Sequence, residues 1–336
     1  MCTVMSDQTQ AAPYSGLTPE VILGAIESVS LAATGSLLAL NSYENRVYQV
    51  QLDDGQFVVA KFYRPGRWTN AAILEEHAFA MELAAQEIPV VAPMVFNDQS
   101  LHEYAGYRFC VYPRHGGRWP ELDREENLEQ LGRFIGRIHM VGRAKRFEHR
   151  LKLTVASYGQ ASLDYLLKAN FVPQELMFNY QQAAQSLLDY IAMQFEAILP
   201  QTLRIYGDCH PGNILATPQG FHFVDLDDCC SGPAVQDLWM LLSGEAHEMT
   251  QQMRIILRGY QTFTEFDYSE LALIESLRGL RLLHYSAWLA RRWEDPAFPQ
   301  HFPWFNTPRY WEDQLNTFRE QLERCHAPSL DLKAFG

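Results

Sequence analysis

Strand-forming sequence in this chain is concentrated in one early stretch, and that segregation constrains the fold more than any other feature. The runs "RVYQVQL" (46–52) and "FVVAKFY" (57–63) are rich in β-branched and aromatic residues and flank Asp53-Asp54-Gly55, a hairpin turn sequence. Before them, Thr18 and Pro19 stand as an N-cap and a first helical residue opening "PEVILGAIESV". After them the pattern is helical over about 69–86, "TNAAILEEHAFAMELAAQ", and Pro89 and Pro93 then return the chain to extended segments ending in "YRFCVY". "PRHGGRW" (113–119) supplies a hinge, and the chain beyond it is mostly helical.

A chain of 336 residues exceeds the roughly 250–300 that one core tends to hold, so two lobes are expected. The boundaries read as a flexible arm over 1–16, a β-rich N-lobe over 17–112, the hinge over 113–119 and a helical C-lobe over 120–336. The fold class is α+β. In "NLEQLGRFIGRIHMVG" the residues Leu128, Leu131, Phe134, Ile135 and Ile138 share one helical face, where Gly132 and Gly136 would let another helix approach closely. Long helices are predicted over about 174–198, 249–264 and 268–292. They are interrupted only by "LRIY" and by a small hairpin, "NILA" and "FHFVDL", around Thr217 to Gly220.

The formal net charge of −13 argues against nucleic acid as a partner, because phosphate backbones are held by basic surfaces. It does not exclude a nucleotide, which an acidic cleft can hold through Mg²⁺. No apolar run approaches the ~20 residues of a membrane span, and "MCTVMSDQTQ" has neither a basic nor an apolar leader region, so a cytoplasmic protein without membrane insertion is expected. Six cysteines, at 2, 110, 209, 229, 230 and 325, form no CxxC pair, which predicts reduced thiols rather than disulfides or a zinc site. Cys209, beside Asp208, is the one whose oxidation would touch the candidate site.

The chemistry lies in four residues in a fixed order. Lys61 ends "VVAK" on a predicted strand, Asp208 and Asn213 have D-x-x-x-x-N spacing in "YGDCHPGNIL", and Asp225 follows the strand-like "FHFV". Phosphoryl transfer from a nucleotide needs such a set: a lysine on the α/β-phosphates, oxygen ligands for Mg²⁺ and a carboxylate that orients the attacking hydroxyl. Pro211-Gly212 supplies the turn that aims Asp208 at the acceptor while Asn213 reaches back to the metal. A lysine in that role needs an acidic partner, and the following helix offers Glu75, Glu76 and Glu82. Glu76 is the choice, with a solvated helix face expected for the other two. Asp237, a charge amid the apolar residues of "AVQDLWMLL", should be paired, most simply by supporting the backbone of the catalytic loop, with an N-cap as the plainer alternative. His210 reads as structural, since Asp208 fills the base position.

The motifs "LNSYENRVYQV", "VVAKFYRPGRW", "ILEEH", "GDCHPGNIL", "FVDLDD", "GPAVQDLWMLL" and "AWLARRWEDPAFPQHFPWF" together resemble the bacterial stress response kinase A family, from about residue 17 to 330. That family belongs to the wider group of choline kinase and aminoglycoside phosphotransferase folds. The resemblance implies a bilobal protein-kinase-like fold and a monomeric, cytoplasmic serine/threonine protein kinase dependent on Mg²⁺ and ATP, linked to envelope and oxidative stress. By position it implies Asp208 as proton acceptor, Asn213 and Asp225 as Mg²⁺ ligands, Asp225 also as an active-site residue, and Ser42 as an ATP contact. The acceptor would be a protein serine or threonine, which spacing alone does not specify.

Departures from the ordinary protein-kinase pattern carry expectations of their own. The first hairpin has no G-x-G-x-x-G, so phosphate cover falls to backbone amides and short side chains such as Ser42. Gly207 precedes Asp208 where an arginine would be, and the eleven residues between Asp225 and Asp237 leave no room for an activation loop, which predicts basal activity without an activating kinase. Two alternatives stand beside this reading. One is a small-molecule kinase acting on a choline-like, amino-alcohol or aminoglycoside hydroxyl, with Trp288, Trp293, Trp304 and Trp311 contacting a cation. The other is a nucleotide-binding regulatory pseudokinase, disfavoured because none of the catalytic set is missing.

Overall fold

The computed structural model describes residues 12–332. Most of the expected N-terminal arm, with Cys2, lies outside that span. In chain order the elements are α1 (Pro19–Ser28), β1 (Ala33–Leu40), β2 (Arg46–Leu52), β3 (Phe57–Phe62), α2 (Asn70–Ala85), β4 (His102–Tyr104), β5 (Tyr107–Pro113), α3 (Glu125–Arg143), α4 (Ala161–Lys168), α5 (Gln174–Ile198), β6 (Leu203–Ile205), β7 (Ile214–Thr217), β8 (Gly220–Phe223), β9 (Cys230–Gly232), α6 (Val235–Trp239), α7 (Ala246–Tyr260), α8 (Ile274–Arg291), α9 (Ala297–His301) and α10 (Pro308–His326). The chain divides into two compact units, neither of them contiguous. Of the described residues, one unit comprises 12–68 with Met94–Arg114 and Arg291–Pro303; the other comprises Thr69–Pro93, His115–Ala290 and 304–332.

The first unit is an antiparallel sheet in the order β1-β2-β3-β5-β4. Its alternation decides which face is covered: Val58, Ala60 and Phe62 of β3, with Val50, Leu52, Phe109 and Val111, pack against Ile22, Ala25 and Ile26 of α1 and Val29 beyond it. Each large side chain so buried stabilises the unit by about 1.5–3 kcal/mol. Lys61 points to the other face, paired across the sheet with Val47 on β2 and Cys110 on β5. Thr18 caps α1, its hydroxyl accepting the Val21 N–H. Tyr14, at the end of the predicted arm, is tied down: its hydroxyl donates to the carbonyls of Glu44 and Phe62, and the Arg46 guanidinium lies 4.4 Å over its ring.

The second unit is built on helix crossings. A Cβ at Gly132 would stand 2.0 Å from the Ile256 carbonyl oxygen, one at Gly136 2.6 Å from that of Tyr260, and one at Gly259 2.0 Å from that of Glu129. The glycines therefore let α3 and α7 touch backbone to backbone. Along α5, Tyr180 packs edge-on against Trp311 and Phe318 of α10. The helix predicted over 268–292 opens instead as a 3₁₀ turn, Tyr268–Leu273, before α8 begins. Buried Glu270 pins that turn by accepting the Val235 N–H at 2.9 Å. None of the described helices is long and apolar enough to cross a membrane.

Candidate active site

Asp237 on α6 is fully buried and makes the loop that carries Asp208 possible. Its Oδ2 accepts the Tyr206 N–H at 2.7 Å and lies 2.9 Å from His139 Nε2, while its Oδ1 accepts the Gly207 N–H at 2.8 Å. The loop-supporting role expected of Asp237 is thus the observed one. Gly207 has φ +88°, and a Cβ there would stand 2.2 Å from the Asp228 carbonyl oxygen, so no other residue fits where protein kinases carry arginine.

The next turn is closed from within. The Asp208 carbonyl accepts the His210 N–H at 2.8 Å and the Asn213 Nδ2–H at 3.1 Å, and Pro211–Asn213 form a short 3₁₀ turn. His210 caps that turn, its Nδ1 accepting the Gly212 N–H at 2.9 Å, which places the imidazole proton on Nε2, 3.4 Å from Asp208 Oδ2. The structural role expected of His210 holds. The Asn213 carbonyl accepts the Val224 N–H at 3.0 Å, and the Tyr206 hydroxyl donates to the Val224 carbonyl, so the loop is fastened to the residue preceding Asp225. Asp225 is exposed with φ +60°, a left-handed conformation costing about 1 kcal/mol for a residue with a Cβ. Hydrogen bonds to backbone carbonyls, two from backbone N–H groups and two from the Asn213 and Tyr206 side chains, thereby tie together the segments carrying Asp208, Asn213 and Asp225.

The Asp208 carboxylate also meets a residue that no sequence pattern marked. Arg281, on α8, places Nη1 2.8 Å from Asp208 Oδ1. Burial works to raise the Asp208 carboxyl, but the His210 hydrogen bond and the Arg281 charge overcome it and hold it down at about 2. It is ionised throughout the physiological range.

The three glutamates of α2 separate cleanly. Glu75 accepts the backbone N–H groups of Glu148, His149 and Arg150 at 2.7–2.9 Å, and Glu82 pairs with Lys145 and Arg204. The solvated face expected for these two is corrected: each anchors a loop or strand. Glu76 is 1% exposed and lies 3.8 Å from the guanidinium of buried Arg150. Arg150, a second residue that sequence reasoning missed, donates to the carbonyls of Asp227 and Cys229 and so binds α2 to the turn after Asp225. Asp227 is buried. Cys209 is fully buried, and burial with the Asp237 and Asp208 charges pushes its thiol well above its ordinary value, which leaves it inert.

In the sheet unit, Lys61 is 4% exposed and its ammonium sits 5.1 Å over the Tyr63 ring. The Ser42 hydroxyl donates to the Asn45 carbonyl at 3.2 Å across the turn between β1 and β2. That turn is strapped by charge. Arg64 donates to the Glu44 carbonyl at 3.0 Å and to Asp295 Oδ2 at 2.6 Å, Arg46 reaches Asp295 at 3.3 Å, and Arg292 pairs with Glu44.

Comparison with known proteins agrees with this chemistry. Residues 36–274 match the model of a phosphotransferase enzyme family. Stress response kinase A of Escherichia coli strain K12 is 44% identical over 322 residues, 96% of this chain and 98% of that protein. The chain belongs to the stress response kinase A family of phosphotransferases. A Salmonella typhimurium member named serine/threonine protein kinase RdoA is 43% identical over the same coverage. Among solved structures, an amicoumacin kinase in complex with AMP-PNP, Ca²⁺ and Ami shares this fold with a TM-score of 0.72 at 20% identity, covering 94% of this chain and 97% of that one. The choline kinase LicA from Streptococcus pneumoniae shares it with a TM-score of 0.63 at 15% identity, covering 91% and 98%.

The tryptophans considered as cation contacts in this phosphotransferase are differently placed. Trp311 is 1% exposed in the core of the second unit, while Trp288 stacks on Tyr285 and Trp304 lies tilted against Tyr310. Trp311 is removed from any ligand role by its burial.

Proposed function

We propose that this phosphotransferase is an ATP- and Mg²⁺-dependent serine/threonine protein kinase, monomeric and cytoplasmic, acting in a bacterial envelope or oxidative stress response. The observation that carries the reading is the fastening of the segments bearing Asp208, Asn213 and Asp225 to one another by hydrogen bonds to backbone carbonyls. The protein acceptor is supported by relatives at 43–44% identity, one of which is named a serine/threonine kinase.

The donor set fits Mg²⁺. Asn213 commits its Nδ2 to the Asp208 carbonyl, so Oδ1 is the atom with which it would hold the ion, and the exposed Asp225 would supply a carboxylate oxygen. Mg²⁺ is commonly held by one or two protein oxygens together with nucleotide phosphates, and Asn213 and Asp225 would supply those protein oxygens. When bound, that ion neutralises charge on the phosphates during transfer. Lys61 is assigned to the α/β-phosphates and Ser42 to the nucleotide. Glu76, buried beside Arg150, stays in the nucleotide-binding set as the acidic partner assigned to Lys61. Asp208, ionised and weakly basic, orients the acceptor hydroxyl and takes its proton late, as a loose transition state allows.

The test is phosphate transfer from labelled ATP with Mg²⁺ to a generic protein acceptor. Label on serine or threonine supports the reading. Intact ATP binding with transfer only to a small alcohol would replace it with the small-molecule alternative, the acceptor class named in the fold neighbours.

A further inference from the structure

Arg281 donates from Nη1 to Asp208 Oδ1 at 2.8 Å, a hydrogen bond that is also an ion pair. It stands on α8, 73 residues from its partner, and its side chain remains 44% exposed. Guanidinium carries five N–H donors in a planar fork. One is committed to Asp208, and the exposed remainder of the fork borders the carboxylate that orients the acceptor.

We propose that Arg281 selects the acceptor: it favours a hydroxyl carried beside a carboxylate or another anionic group and rejects a hydroxyl carried beside an ammonium. The inference rests on the assignment of Asp208 to the acceptor hydroxyl. A hydroxyl oriented by Asp208 comes within ~2.8 Å of that carboxylate. Groups two or three bonds from the hydroxyl then lie about 5 Å from the guanidinium, where unit charges interact appreciably even at the effective dielectric of a protein surface. An anionic neighbour can engage the fork through paired N–H donors, which a lysine could not reproduce. An ammonium would instead meet the like charge of Arg281, whose one ion-pair partner among the described residues is Asp208.

The acceptor class is therefore a serine or threonine flanked by Asp or Glu, and the basic residues that flank many kinase targets should be disfavoured. Solvent at a half-exposed arginine reduces the effect to about tenfold in kcat/KM between acidic and basic flanks.

The experiment compares wild type, Arg281→Gln and Arg281→Lys on two peptides that differ only in acidic or basic residues flanking one serine, with a hydroxy acid and an amino alcohol as small-molecule counterparts. Removing Arg281 changes the setting of Asp208, so rates on both peptides will move together; the ratio between them is the readout. The expected result is a ratio of about ten in wild type, near one in Arg281→Gln and intermediate in Arg281→Lys, with the KM for ATP unchanged. A wild type indifferent to flanking charge, or a preference that survives in Arg281→Gln, would overturn the inference and leave the protein-kinase reading standing. Transfer to the hydroxy acid but to no peptide would support the inference and overturn the protein acceptor. Preference for the amino alcohol would overturn both.

Discussion

Replacing Asp237 tests whether this carboxylate holds the loop bearing Asp208. Buried on α6, it accepts two backbone N–H groups at 2.7 and 2.8 Å and faces His139 Nε2 at 2.9 Å. Hydrogen bonds to a charged group are each worth roughly 1.5–3 kcal/mol, and each buried donor left alone costs about 1–3 kcal/mol. Because one carboxylate serves all three, the losses are not independent, and Asp237→Ala should destabilise by about 4–5 kcal/mol, at the upper end for a single substitution. At roughly 2 °C per kcal/mol for a chain of this size, the thermal midpoint should fall by about 10 °C. Asp237→Asn is the sharper variant. It keeps the shape, but its amide would direct an N–H at a donor, so it should recover less than half of the loss. Urea unfolding followed by circular dichroism gives the stability, and kcat/KM should fall in both variants as Asp208 loses its alignment. A loss below about 1 kcal/mol in the alanine variant, or an asparagine variant matching wild type, would refute the account.

The same geometry sets further expectations. Asp225→Gly keeps the left-handed backbone without strain, so it should abolish phosphate transfer while leaving stability equal to wild type or up to about 1 kcal/mol higher; retained turnover would contradict the metal assignment. Asp208→Ala should bind ATP as wild type does in a calorimetric titration yet lose transfer, and lost nucleotide binding would contradict its assignment to the acceptor. Gly207→Ala meets the Asp228 carbonyl oxygen at 2.2 Å from a positive φ, and a soluble variant with an unshifted midpoint would count against the close approach. Burial, with the charge of Asp267, pushes the Glu270 carboxyl up to about 7, against an ordinary 4.5. The folded state thus holds a proton that the unfolded chain releases, and stability is lost as pH rises from 4.5 through 7. Glu270→Gln can keep the bond from the Val235 N–H and should be more stable than wild type at pH 8 by up to about 3 kcal/mol, converging at pH 4 to 5; parallel profiles would remove that explanation.

What the sequence disclosed was local. The Asp53-Asp54-Gly55 hairpin, the glycine pair of α3 and the D-x-x-x-x-N turn each fit within a window in which spacing fixes geometry, and each stands where expected. Strand β1 did not announce itself, because most of its residues, Leu38 among them, are exposed and "LLAL" has no alternation to read. Arg150 and Arg281 are single arginines whose partners lie more than 70 residues away, so their roles exist only after folding. Asp237 was legible for the opposite reason: a carboxylate in an apolar run must find donors, and nothing nearby in sequence supplies them. The same logic, applied to Glu76 within a helix of low amphipathicity, could narrow the choice among three neighbours but could not foresee that two would be claimed by loops and strands.

The strap on the turn between β1 and β2 has a consequence for when the protein comes to exist. Glu44 and Arg64 are mostly buried, and their partners Arg292 and Asp295 come from a segment that leaves the ribosome roughly 230 residues after Arg64, about 10–45 seconds later at ordinary rates of synthesis. The sheet can pair its five strands well before then. The turn carrying Ser42 has Arg64 on Glu44 from the start, but it gains Arg292 and Asp295 only when translation is nearly over. A nascent chain therefore has most of its helical unit in hand before its sheet unit is complete, and a transcript truncated before Arg291 yields a chain whose turn between β1 and β2 lacks both of those charged anchors.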